Sequence, residues 1–132
     1  MKGTSNPFEE LLVSLVRSGI EFITVGGIAC AFSGYIRATE AVDILIQRNP
    51  ENVRRLLDFL AGYGEGYGSE LNESDLQEEE GAIRVVEEFP LDIFTVIGGR
   101  HYEELKPHIQ LYELDGLEIP YLSTEGLIEL KR

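Results

Sequence analysis

Two runs of this chain are apolar at nearly every position, and each carries a single aspartate: "AVDILI" at 41–46 and "PLDIFTVI" at 90–97. A strand with one wet face alternates apolar and polar residues, so continuous runs read as strands covered on both faces. Two of them require a sheet with helices laid against it. A carboxylate inside such a strand loses its hydration, and a cation, an arginine or backbone donors must offset that loss. Asp43 and Asp92 therefore constrain both the fold and the chemistry.

The covering helices are well marked. In "SNPFEELLVSLVRSG", Asn6 caps, Pro7 suits the first helical position, and Glu9 and Glu10 favour the positive end of the dipole. Phe8, Leu11, Leu12, Leu15 and Val16 recur at helical spacing up to Gly19. "NPENVRRLLDFLAGYG" repeats this grammar, with Asn49 as cap and Val53, Leu56, Leu57 and Leu60 on one face. Between them lie a strand "EFITV", the pair Gly26–Gly27, a short helix "IACAFSG" and the strand "TEAVDILI".

Residues 64–81 are polar, acidic and punctuated by glycine, which predicts a mobile loop. Two strands, "AIRVVEE" and "LDIFTVI", follow, and then a helical turn at 101–105. "QLYEL-DG-LEIPYL" signals a hairpin, because Asp115–Gly116 is a preferred type I′ pair. Ser123 can cap a last helix of about two turns, which leaves room for a C-terminal helical part beyond Arg132. Strands interleaved with helices predict an α/β or α+β domain built on a small mixed sheet, with residues 1–132 as one domain.

Composition narrows the partners. The chain has 11 Lys+Arg against 24 Asp+Glu, a net charge of -13. Such a surface repels nucleic-acid phosphate except at a local basic patch or through metal ions. Cys30 is the one cysteine, so no intrachain disulfide can form. No run is long and apolar enough to cross a bilayer, and no secretory signal is legible, which predicts a cytoplasmic protein with no membrane association.

Gly26–Gly27 opens a strand-to-helix turn. Bare backbone and unpaired N–H groups suit such a turn to a phosphate, but a glycine pair serves tight packing equally well. Each aspartate also has two readings. A lone one caps a turn or pairs with an arginine, for which Arg37 and Arg84 are available. Two of them, both early in a strand and downstream of a glycine turn, point instead to a hard-cation site.

The order Gly-Gly, short helix, "RAT", a strand with the Asp-x-Asp position, and a third Asp on a later strand resembles the nucleotidyltransferase superfamily of the DNA polymerase β type. Within it the chain is similar to the minimal bacterial branch that includes toxin and antitoxin nucleotidyltransferases of the AbiEii kind. The resemblance spans nearly the whole chain, including the hairpin and "STEGLIELK", and implies the nucleotidyltransferase fold. It implies transfer of a nucleoside monophosphate from an NTP to a hydroxyl on an RNA end (a tRNA, for instance) or on a protein. Two Mg²⁺ or Mn²⁺ ions would assist, and a toxin or antitoxin would be a partner. Carried over, Gly26 and Gly27 match the phosphate turn, Asp43 the second carboxylate and Asp92 the third. Arg37, Thr39 and Lys131 fall where nucleotide or acceptor phosphate is met; for Lys131 a solvated helix end is the plainer reading.

Ala41 departs from the pattern. The family has its first carboxylate at this position, on the same strand face as Asp43, and Glu40 points the other way. The expected ligand set is thus Asp43 and Asp92 alone, and either an impaired enzyme or a catalytically silent nucleotide- or partner-binding domain follows. Other candidates are weaker. His101 and His108 read as surface residues, Cys30 as core, the run near 70–80 as solvated, and Tyr63 and Tyr67 as turn residues that could stack on a base.

Overall fold

The structure, a computed structural model, describes residues 7–32, 41–78 and 80–122. Helix α1 covers Pro7–Arg17, with Glu9 and Glu10 in its first turn and Arg17 in its last. Strand β1 is Phe22–Val25, helix α2 Gly26–Phe32 and strand β2 Val42–Ile46. Helix α3 is Pro50–Ala61, and Asn49 caps it as expected, its side chain accepting from the Asn52 N–H at 2.8 Å. Strands β3, Ile83–Val86, and β4, Pro90–Phe94, follow. The helical turn α4, Tyr102–Leu105, then leads to the hairpin β5, Ile109–Leu114, and β6, Leu117–Leu122. At the hairpin tip Asp115 and Gly116 both take positive φ, 53° and 77°, as a type I′ turn demands.

The six strands form one mixed sheet in the order β3-β4-β2-β1-β6-β5. β2 runs parallel to β4 and β1 parallel to β6; the other neighbours are antiparallel. Strand alternation divides the apolar residues between two cores. On one face Phe22, Ile44, Ile46, Leu91 and Ile93 meet Leu12 and Leu15 of α1 and Leu56 and Leu60 of α3. On the other, Ile23, Val25 and Leu45 meet Tyr102, Leu105 and Leu122. Buried Asn52 ties α3 to the sheet: its side chain accepts from Glu21 N–H at 2.7 Å and donates to the carbonyls of Glu21 and Gln47.

Three expectations change. β2 begins at Val42, not at residue 39, and Ala41 occupies a bend just before it. β4 stops at Phe94, because Thr95 turns its hydroxyl to the Gln77 carbonyl at 2.6 Å and only isolated bridges continue. The segment expected as a mobile loop instead contains two short 3-10 turns, Tyr67–Glu70 and Glu73–Asp75. Leu76 anchors it in the core, and its carbonyl accepts from Arg48 Nε at 2.8 Å. Its front end is held by the Glu87 carboxylate, which accepts from the N–H groups of Glu65 and Tyr67.

Candidate active site

Asp43 stands directly opposite Asp92 in the β2–β4 pairing, and Asp92 stands opposite Arg84 in the β3–β4 pairing. Residues paired across neighbouring strands share a sheet face. Arg84, Asp92 and Asp43 therefore form a row across three strands, on the face turned away from α1 and α3. Leu91 and Ile93 bury the opposite face, which is what fixes Asp92 in this orientation.

Arg84 takes both oxygens of Asp92, Nε to Oδ1 at 2.8 Å and Nη2 to Oδ2 at 2.9 Å. This is the two-pronged geometry that suits a guanidinium to a carboxylate. The Asp92 side chain is 11% exposed and that of Arg84 57%, so the arginine is the outer member. The pair keeps Arg84 firmly protonated, its pKa raised first by the hydrogen bond to Asp92. Asp43 is half-buried and stands beside Asp92 in the β2–β4 pairing. Burial, then the adjacent Asp92 charge and the hydrogen bond a protonated Asp43 would give it, push its carboxyl up to about 6, against the pull of Arg84.

Gly26 completes the arrangement. Its φ is +73°, a conformation L side chains rarely adopt, and a β-carbon there would overlap the Asp43 carboxylate. Both readings of the glycine pair bear on it, and its first task is to make room for Asp43. Gly27 is the second residue of α2 and half-buried. Ala41, half-buried in its bend, brings no donor atom. Arg37, Thr39, Lys131, the expected helix after residue 122 and the Cys30 side chain lie outside the described residues. The structure thus brings together Gly26, Asp43 and Asp92 and adds Arg84, which the sequence offered only as one of two arginines for the task.

These residues do not fit a two-ion centre. Such a centre needs oxygen ligands from several carboxylates. Position 41 is alanine, both Asp92 oxygens are engaged by Arg84, and no group of three or more metal-binding side chains occurs among the described residues.

The remaining candidates lie elsewhere. Tyr63 stacks on Phe59 of α3, and Tyr67 is exposed. His101 is not a bare surface residue: Nδ1 lies 3.0 Å from Glu104 and Nε2 3.3 Å from Glu78. The signal was present in the capping position of His101 three residues before Glu104. No helix among the described residues is long and apolar enough to cross a membrane.

Comparison with solved structures bears on the fold. The chain superposes on a crystal structure from Thermotoga maritima, described provisionally as a nucleotidyltransferase, with a TM-score of 0.58. The match covers 98% of this chain and 89% of that one at 13% sequence identity. The mixed sheet flanked by helices is therefore a nucleotidyltransferase-like fold. No protein-family model matches the chain, and no curated protein matches it in sequence.

Proposed function

We propose that the chain is a nucleotidyltransferase-type protein that takes a nucleoside triphosphate beside Asp43 and Asp92. The reaction such a site serves is transfer of the nucleoside monophosphate to a hydroxyl on an RNA end or on a protein. One observation carries this reading: two aspartates in register on adjacent parallel strands, beside a left-handed glycine whose missing side chain makes room for one of them. A fold alone would not favour it, since one fold hosts many activities. Asp92 would accept a hydrogen bond from the acceptor hydroxyl once Arg84 gives up one of its oxygens. Asp43 lies beside it, toward the turn where phosphate would rest. Magnesium or manganese enters this reading only as the counter-ion that travels with the triphosphate. Ala41 restrains the activity.

The test supplies an NTP panel with Mg²⁺ or Mn²⁺ and follows nucleotide added to RNA or protein by mass spectrometry. Ala41→Asp should raise transfer at least tenfold over the wild type. A folded Ala41→Asp protein that neither transfers nor binds nucleotide would sink the reading.

A second reading is favoured by the Arg84 grip on Asp92 together with Ala41: a silent domain that binds a nucleotide or a partner protein, as an antitoxin or scaffold would. Calorimetry separates the two. Nucleotide affinity unchanged by Asp92→Asn supports the silent domain, and a large loss supports the enzyme.

A further inference from the structure

We propose that Arg84 is a built-in cation that guards Asp92, holding the site closed to a free divalent ion until the pair is opened. The inference rests on reading Asp43 and Asp92 as the carboxylates of the site.

Four observations support it. The guanidinium engages both carboxylate oxygens in the same geometry at once, at 2.8 and 2.9 Å. A metal ion approaching Asp92 would have to share those oxygens with a fixed positive charge a few ångströms away. The burial is asymmetric: Asp92 is the inner residue and Arg84 the outer, so an ion arriving from solvent meets the guanidinium first. Arg84 also sits on β3, the edge strand of the sheet. Its side chain can swing outward without disturbing the apolar layer beneath, to which its neighbour Val85 contributes.

The fourth observation separates a guard from an ordinary structural pair. A buried aspartate that serves only the fold needs one arginine and no company. Among the described residues one guanidinium faces two carboxylates, since Asp43 stands directly opposite Asp92 in the β2–β4 pairing. With both carboxylates ionised, these three described side chains carry a net charge of about -1. Opening the pair releases Asp92 and at the same time frees the guanidinium for a phosphate, because the planar fork fits phosphate as well as carboxylate.

The experiment is a titration of the full chain with Mn²⁺ alone, followed by loss of the free-ion signal in electron paramagnetic resonance. The proteins are the wild type, Arg84→Gln, Arg84→Lys and Arg84→Gln/Asp92→Asn. Arg84→Gln should bind Mn²⁺ at least tenfold more tightly than the wild type. Arg84→Lys, which keeps the charge but loses the fork, should gain about threefold or more. It also serves as the test if the glutamine variant fails to fold. The double variant should return to the weak wild-type level, which separates Asp92 from the acidic surface at large. Equal or weaker Mn²⁺ binding in the Arg84 variants would overturn the proposal, and so would a gain that survives Asp92→Asn. Because no nucleotide is present, a gain here alongside failed transfer in the Ala41→Asp assay would sink the proposed function and leave the guard standing.

Discussion

Asp43 should cost the protein stability at neutral pH, and Asp43→Asn should recover it. Its carboxyl titrates near about 6 in the fold against 3.8 for an ordinary aspartate. A raised carboxylate pKa means that the fold favours the protonated form. The stability penalty is thus absent below about pH 3.8, grows as the pH rises toward 6, and is constant above that. At ~1.4 kcal/mol per unit, a fully buried group would give roughly 3 kcal/mol. Asp43 is only half-buried, so solvent screening reduces the expected figure to ~1–2 kcal/mol. Asn keeps the shape but removes the charge. Thermal melts in chelator-containing buffer should then show Asp43→Asn about 3–8 °C more stable than wild type at pH 7.5 and level with it near pH 4. Asp92→Asn supplies the opposite sign, since it strips Arg84 of a two-pronged partner, and should lower the melting temperature at pH 7.5. If Asp43→Asn is no more stable than wild type at pH 7.5, or gains equally at pH 4, the electrostatic account of the row is wrong.

Three further outcomes test the scaffold around the row. Gly26→Ala should lower stability by about 2–4 kcal/mol from the left-handed backbone and the clash together; adding Asp43→Ala should recover only the clash, as a double-mutant cycle would show. Asn52→Ala should cost about 2–4 kcal/mol in denaturant unfolding, because it strands the Glu21 N–H and two carbonyls beneath α3. His101→Gln should destabilise at pH 5.5 and much less at pH 8. Hydrogen bonding to Glu104, then contact with Glu78, raises the His101 pKa above 6.5, while the Glu104 pKa falls below 4.5, helped by His101 and Arg100. The histidine contribution is thus full below pH 6.5 and lost as the pH climbs through the raised value. The Glu104 contribution is present above pH 4.5 and lost on acidification. Melts across pH 4–8 would show the difference peaking between those limits.

Much of this molecule was legible because its signals are local. Asn49 before Pro50 and the Asp115–Gly116 pair each specify a turn of backbone without reference to the rest of the chain, and each appears where the sequence predicts it. The aspartates were legible as an anomaly, two charges in apolar runs, but their meeting was not. β2 and β4 pair in parallel across a whole helix, a 3-10 segment and β3, and a register of that kind depends on tertiary packing. For the same reason nothing local could choose Arg84 over Arg37. The acidic stretch at 64–81 misled because its charges outnumber its anchors: Leu76 in the core, Leu71 packed against it and the distant Glu87 carboxylate secure a segment that composition assigns to solvent.

Ala41 and Arg84 alter the site in the same direction, and together they define what it can hold. An alanine at 41 and a guanidinium on Asp92 both leave the row less negative than a set of free carboxylates would be, so both disfavour free divalent ions. On the proposed function neither feature weakens attraction for a triphosphate, and a guanidinium released from Asp92 would strengthen it. On the proposed function, such a row should favour a nucleotide over a free ion. The two properties should therefore separate experimentally: Ala41→Asp and Arg84→Gln should each tighten Mn²⁺ binding, and their effects should compound. On nucleotide binding in chelator they should act alike, each weakening it, because one adds a negative charge and the other removes a positive one. Nucleotide binding in chelator that is unaffected by Arg84→Gln would show that the arginine serves Asp92 alone.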